Sequence, residues 1–292
     1  MTTVVGVVGL GVMGSRIAGR LLDSECTLVA TNRTRARAAP LVKRGLVWCD
    51  TPRQVASAAD VVLSSVTDDA ALEAVATGED GILAGLSPGT VYADMSTVSP
   101  QLSQRLAERV SGLGAEMLDA PVSGSVPQAE AGELTIMVGG SQSAYERILP
   151  VLGQLGSVVR VGQNGQGLLL KLAINISLAQ QMIAFGESVL LAERGGIDRQ
   201  LAVDVMVASA IGSPLLRGRA PLVVDPPEQV WFDIRMMQKD LLLALDTARH
   251  LGVPLPTTAA ANDFLTLARA LGYERRDVAS THDVLADLAD GL

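Results

Sequence analysis

From residue 4 to about residue 162, short β-branched runs alternate with helix-patterned segments, and this alternation limits the possible folds more than any other feature of the chain. Val4 to Val8, Thr27 to Thr31, Leu46 to Cys49, Val61 to Ser65 and Val91 to Asp94 read as successive strands, each followed by a helix-like stretch. Met117 to Asp119, Leu134 to Val138 and Val158 to Val161 extend the series. Strands separated by helices join through crossovers, so the pattern predicts a parallel sheet covered by helices. After Gly162 the strand signals stop. Residues 163–292 carry apolar side chains at three-to-four spacing and break at Gly195-Gly196, Gly212-Ser213-Pro214, Pro226-Pro227, Gly252-Val253-Pro254 and Gly272, so they read as helices. The predicted architecture is an α/β domain over residues 1–162 and an all-helical domain over 163–292, with a long connecting helix starting near residue 165.

Composition narrows the function. The chain has 292 residues, 48% of them hydrophobic, which excludes disorder and is enough for two domains of ordinary size. A net charge of −8 argues against a nucleic-acid partner. Of the 23 basic residues only Lys43, Lys171 and Lys239 are lysine. His250, His282, Cys26 and Cys49 are too few and too scattered for a metal site or a disulfide framework, and the cysteine content fits a reducing cytoplasm. The uncharged first 15 residues lack a basic n-region and contain Gly6, Gly9, Gly11 and Gly14, against a signal peptide. The segment from Gln163 to Gly186 is long enough to span a membrane, yet it carries Lys171 and six side-chain amides, so a helix buried inside the protein and no membrane partner are expected.

Gly9-Leu10-Gly11-Val12-Met13-Gly14 directly follows the first predicted strand and opens the first helix. This is G-x-G-x-x-G in the context of a Rossmann-type dinucleotide-binding domain. The first glycine allows the tight turn, the second lets a pyrophosphate approach the backbone, and the third lets helix and strand pack closely. At the end of the second strand, Thr31-Asn32-Arg33-Thr34-Arg35 contains no carboxylate to bind a ribose 2′-hydroxyl. A guanidinium at Arg33, with donors on Asn32 and Thr34, suits a 2′-phosphate, so NADP(H) is the expected cofactor and NADPH the preferred form.

Two further segments carry chemistry. Asp119-Ala120-Pro121-Val122-Ser123-Gly124-Ser125 reads as a strand end running into a turn of amides and hydroxyls, neutral donors able to hold a carboxylate. Lys171 lies among leucines 168–170 and 172, and Asn175 follows it by four residues on the same helical face. A desolvated ammonium at such a position loses its proton near neutrality, as an acid/base group requires.

Together with Asp94-Met95-Ser96-Thr97, Gly165, Gly167 and Lys239-Asp240, these motifs resemble the β-hydroxyacid dehydrogenase family over essentially the whole chain. The family includes 3-hydroxyisobutyrate dehydrogenase, tartronate semialdehyde reductase and the glyoxylate/succinic semialdehyde reductases, with 6-phosphogluconate dehydrogenase more distant. The resemblance implies that Lys171 is the catalytic lysine, that Asn175 hydrogen-bonds the substrate, and that Ser123 and Gly124 grip its carboxylate beside Ser125 and Thr97. It further implies that Val66, Thr67, Thr97 and Lys239 meet the cofactor along with the Gly-rich turn, that Phe232 packs near the entrance, and that the protein is a homodimer. Ile174 and Gly124-Ser125 look more like the glyoxylate/succinic semialdehyde reductases, Pro254 to Ala260 more like tartronate semialdehyde reductase, and Phe264-Leu265 departs from the usual leucine-tyrosine pair. The implied activity is NADPH-dependent reduction of a short carboxylate-bearing aldehyde or keto acid, without metal. The alternatives are an imine or ketone reductase on the same scaffold, against which retention of Lys171 argues, and a non-catalytic nucleotide-binding module.

Overall fold

The structure is a computed structural model that describes residues 3–24 and 26–291. It contains two compact units, the first ending at Lys171 and the second beginning at Leu172. Among the described residues, the first unit holds nine strands in one sheet: β1 (Val4–Val8), β2 (Thr27–Thr31), β3 (Val47–Trp48), β4 (Val61–Ser64), β5 (Val91–Asp94), β6 (Glu116–Asp119), β7 (Val122–Ser123), β8 (Leu134–Gly139) and β9 (Gly156–Gly162). The order β3-β2-β1-β4-β5-β6 is parallel throughout. β8 then pairs antiparallel with β6 and β7 and parallel with β9.

Side chains alternate across this sheet with the two-residue period of a strand, and both faces are apolar because helices cover both. Val5, Val7, Leu63, Val91, Ala93 and Leu118 enter the core on one face, and Val8, Val62, Tyr92 and Met117 the core on the other. The helix Pro52–Ala58 packs so closely that a Cβ on Gly6 would lie 2.6 Å from Val55 Cγ1. The strands lie where the β-branched runs lie, with two exceptions. Val122-Ser123, read as part of a turn, is a short strand because β8 presents an edge to it: Val122 pairs with Ile136 and Ser123 with Thr135. β9 starts at Gly156, before its first valine, because its backbone pairs along β8 from Leu134 onward.

The helix Gln166–Arg194 runs across the boundary between the units. Helices Arg199–Ala208, Pro214–Arg219, Pro221–Val224, Ile234–Leu251, Pro256–Ala270 and Thr281–Asp290 follow. Their breaks have local causes. Asp198, Ser213 and Asp233 cap the backbone amides of Leu201, Leu216 and Met236, and Gly252 ends its helix in the left-handed conformation at φ 68°. The second unit's core joins Met182, Phe185 and Val189 to Ile234, Met237, Leu241, Leu265 and Val284. Within it, Arg219 pairs with Asp277 at 2.9 Å, and Asp277 also accepts the Trp231, Phe232 and Ala279 amides, which ties down the non-helical stretch before Ile234. By length and composition Gln166–Arg194 could cross a membrane, and only 33% of its most apolar window is buried, so it is less enclosed than its amide-rich composition led us to expect.

Candidate active site

The sheet order reverses at β1, which has β2 on one side and β4 on the other, and ligands of open α/β sheets bind beyond the carboxyl ends of strands at such a point. The turn from β1 into the helix Val12–Leu22 shows why its glycines are needed. Gly9 has φ 97°, and a Cβ on it would lie 2.3 Å from the Ser65 carbonyl oxygen. A Cβ on Gly14 would lie 2.0 Å from the Gly9 carbonyl oxygen. At Gly11, by contrast, a Cβ would meet nothing within 4 Å, and no side chain caps the helix there. Open space in front of uncapped amides at a positive helix end fits the pyrophosphate of a dinucleotide. Leu10 is buried and Met13 packs against the core, so these residues offer backbone rather than side chain to a ligand, while the Val12 side chain is exposed.

At the end of β2, Asn32 also has a structural role. Its Oδ1 accepts the Leu10 amide at 2.9 Å and its Nδ2 donates to the Thr34 carbonyl at 2.9 Å. It ties the Gly-rich turn to the next loop through its Oδ1 and one of its two Nδ2 hydrogens. Arg33 and Thr34 are exposed. Arg35 stacks over Trp48 with 5.4 Å to the ring centroid and lies 3.9 Å from Asp50.

Val66, Thr67 and Thr97 follow β4 and β5, and a buried carboxylate organises both ends. Asp94 Oδ1 accepts from Ser64 Oγ at 2.6 Å and Ser96 Oγ at 2.7 Å, and Ser96 Oγ in turn accepts the Val66 amide at 2.9 Å. Burial first, and then Asp94, push the Tyr92 phenol well above its usual range, so Tyr92 stays protonated beside Ser64, with 2.8 Å between their oxygens. Past β6, Ser123 is half-buried, Gly124 takes φ 125°, and Ser125 opens a short helix with its amide on Gln128 Oε1 at 2.9 Å. A Cβ on Gly124 would also meet Leu134 at 2.8 Å, so glycine is required there on two counts. The residues that follow β1, β2, β4, β5 and β6, predicted to meet cofactor and substrate, thus lie beyond the carboxyl ends of these parallel strands.

Lys171 is half-buried: Leu168 and Leu172 are buried, but Leu169 and Leu170 are 38% and 41% exposed, so the leucines around it do not enclose it. Asn175, one turn on, is 1% exposed. Its Nδ2 donates to Asp240 Oδ2 at 2.5 Å, and its Oδ1 has no hydrogen-bond partner among the described residues. Asp240 is itself buried and its Oδ1 lies 2.8 Å from Lys239 Nζ. Asp240 therefore orients two of the predicted site residues, a role sequence reasoning missed. The available signal was a carboxylate on the apolar face formed by Ile234, Met237, Leu241 and Ala244. Phe232 packs against the second core with its amide on Asp277.

Residues 4–163 match the model of the NAD-binding domain of 6-phosphogluconate dehydrogenase, and residues 165–285 match the NAD-binding model of NADP-dependent 3-hydroxyisobutyrate dehydrogenase. The chain belongs to the β-hydroxyacid dehydrogenase family. This dehydrogenase is 32% identical to glyoxylate/succinic semialdehyde reductase 2 of Arabidopsis thaliana over 97% of its own length and 80% of the relative's. It is 34% identical to 2-hydroxy-3-oxopropionate reductase of Escherichia coli over 93% of each chain. The solved 3-hydroxyisobutyrate dehydrogenase of Salmonella typhimurium superposes with a TM-score of 0.89 at 30% identity, covering 97% of this chain and 99% of that one. This dehydrogenase is an oxidoreductase acting on CH–OH groups, and NADP(H) is its cofactor.

Proposed function

We propose that this dehydrogenase prefers NADPH over NADH and reduces a short aldehyde or keto acid bearing a carboxylate. When bound at the Gly-rich turn, NADPH supplies the hydride. Lys171 Nζ protonates the carbonyl oxygen in that direction and accepts the hydroxyl proton in the other. Ser123, with the amide of Gly124, holds the carboxylate through neutral donors, and Ser125 and Thr97 line the same pocket. The observation that carries this reading is Asn175: its amide nitrogen is committed to Asp240 while its buried Oδ1 has no partner, one helical turn from Lys171. A buried acceptor without a donor is costly unless a ligand supplies one, and the hydroxyl of the hydroxy acid, formed in reduction and present at the start of oxidation, does so. Val66 and Thr67 complete the cofactor's surroundings within the first unit, and the resemblance to the family implies Lys239 as a further cofactor contact.

The relatives' names include succinic semialdehyde and 2-hydroxy-3-oxopropionate, both small carboxylates with a reducible carbonyl. We assign this chain the same substrate class. Exposed Leu191, Leu201, Val205 and Ile211 on the second unit support a homodimer that covers them, and unbridged Cys26 and Cys49 support a cytoplasmic location. The test is a panel of glyoxylate and the semialdehydes of succinate, tartronate and methylmalonate with NADPH, run on the wild type and Lys171→Ala. We expect turnover of at least one, a loss of about 10²- to 10⁴-fold in kcat for the variant, and unchanged NADPH affinity. Turnover of cyclic imines with indifference to carboxylates would reject the reading.

A further inference from the structure

Asp119 closes β6, and the reaction proposed above does not use its carboxylate. The side chain is fully buried and reaches the start of the helix that carries Lys171. Oδ1 accepts the Gly165 amide at 2.6 Å and Oδ2 accepts the Leu168 amide at 2.9 Å. First-turn amides have no partner within their own helix and are normally capped by a side chain just before it. Here Gly165, at φ 91°, stands at that point, no acid lies in the first turn, and the cap comes from the sheet instead.

The surroundings fit this carboxylate closely. A Cβ on Gly139 would lie 2.6 Å from Asp119 Oδ1, and one on Gly167 would lie 2.7 Å from Oδ2 and 2.5 Å from the Met137 carbonyl oxygen. Asn164 Nδ2 adds a second tie, donating to the Met117 carbonyl at 2.8 Å. Lys171 follows Leu168 by three residues and lies on the same helical face, so the rotation and height of the helix at Leu168 set where the lysine stem departs.

We propose that Asp119 is a positioning residue for Lys171: its ionised carboxylate locks the first turn of the helix to the end of β6 and thereby places the lysine, an inference that rests on the catalytic role proposed above. Burial raises the Asp119 carboxyl from 3.8 to about 6, opposed by the amides of Gly165, Leu168 and Asp119 itself and assisted by Asp94, its register partner on β5. Backbone and glycine face it from β8, and backbone amides face it from the helix. Protonation places a hydrogen on one of two oxygens that each face a donor, so one bond of the clamp is lost. The clamp is closed at neutral pH and opens as pH falls through about 6.

Asp119→Asn in the full chain, with three readouts, tests this. In the first, kcat/KM of the wild type is expected to show an acid limb near pH 6, while the variant loses that limb and about 10- to 100-fold in kcat with NADPH affinity unchanged. A limb near 6 that persists in the variant overturns the assignment. The second is competitive acetylation of Lys171 against exposed Lys43, which reads the lysine without any substrate. A shifted ratio in the variant is expected, and an unchanged ratio overturns the proposal. The third uses the wild type alone and remains decisive if the variant fails to fold: amide protection at Gly165 and Leu168 should fall as pH drops through 6. Constant protection from pH 7.5 to 5 overturns the clamp. If no semialdehyde is turned over, the functional reading fails separately, while acetylation and exchange still judge the clamp.

Discussion

Arg33 and Arg35 are both exposed guanidiniums just past β2, but only Arg35 is held by Trp48 and Asp50. Arg33 is therefore the residue we expect to meet the ribose 2′-phosphate through charge-assisted hydrogen bonds. Arg33→Ala should lower kcat/KM with NADPH by about 10- to 100-fold, the value of a charge-assisted pair, and leave NADH use nearly unchanged. Steady-state kinetics with both cofactors checks this, and equal losses would remove Arg33 from 2′-phosphate recognition. The missing carboxylate made this candidate legible in the sequence. The role of Asn32 was not legible, because the Leu10 amide it accepts lies 22 residues back and comes alongside only when β1 and β2 pair. Asp240 was hidden for a similar reason: nothing next to it in sequence identifies Asn175, 65 residues earlier, as its partner.

Among elements, the turn from β1 into its helix separates two uses of glycine. A Cβ at Gly14 would meet backbone at 2.0 Å, whereas one at Gly11 would enter open space. Gly14→Ala is accordingly expected to destabilise the protein by about 1–3 kcal/mol or more through overpacking. Gly11→Ala should cost less than about 1 kcal/mol of stability and yet weaken NADPH binding, because its methyl enters the space a pyrophosphate needs. Calorimetry and a fluorescence titration of NADPH distinguish the two effects, and unchanged affinity in Gly11→Ala would count against the phosphate assignment. Both strands of this turn, and the helix between them, were legible because β-branched periodicity and glycine spacing act within a few residues. β7 was not, since two residues carry no periodicity and owe their conformation to β8.

At the scale of the molecule, each unit has its own core and one buried carboxylate that governs a stability prediction. Asp119 has its folded value raised from 3.8 to about 6, so its contribution is present in full below about pH 4 and is lost as pH rises through 6. Wild-type stability should therefore fall by about 3 kcal/mol between pH 4 and 7 relative to Asp119→Asn, as read by urea unfolding at each pH. Acidification relieves a buried charge even as it loosens the start of the helix. In the second unit, burial lowers the Arg219 guanidinium and Asp277 opposes that shift. Arg219→Met would leave Asp277 buried without its cation, at an expected cost of about 3–5 kcal/mol. Trp231 emission in a Trp48→Phe background follows that unit's transition, and a loss below about 1 kcal/mol would show that the amides of Trp231, Phe232 and Ala279 suffice for the carboxylate. What the amino-acid sequence determined alone was local: the strand and helix periods, the glycine and proline breaks between helices, the Gly-rich turn and the absence of an acid after β2. What the tertiary structure decided was which buried polar groups meet, Asp119 with Gly165 and Leu168, Asn175 with Asp240, Arg219 with Asp277. Periodicity acts between neighbours in the chain, whereas a buried charge is satisfied by whatever the order of strands and the packing of helices bring within 3 Å.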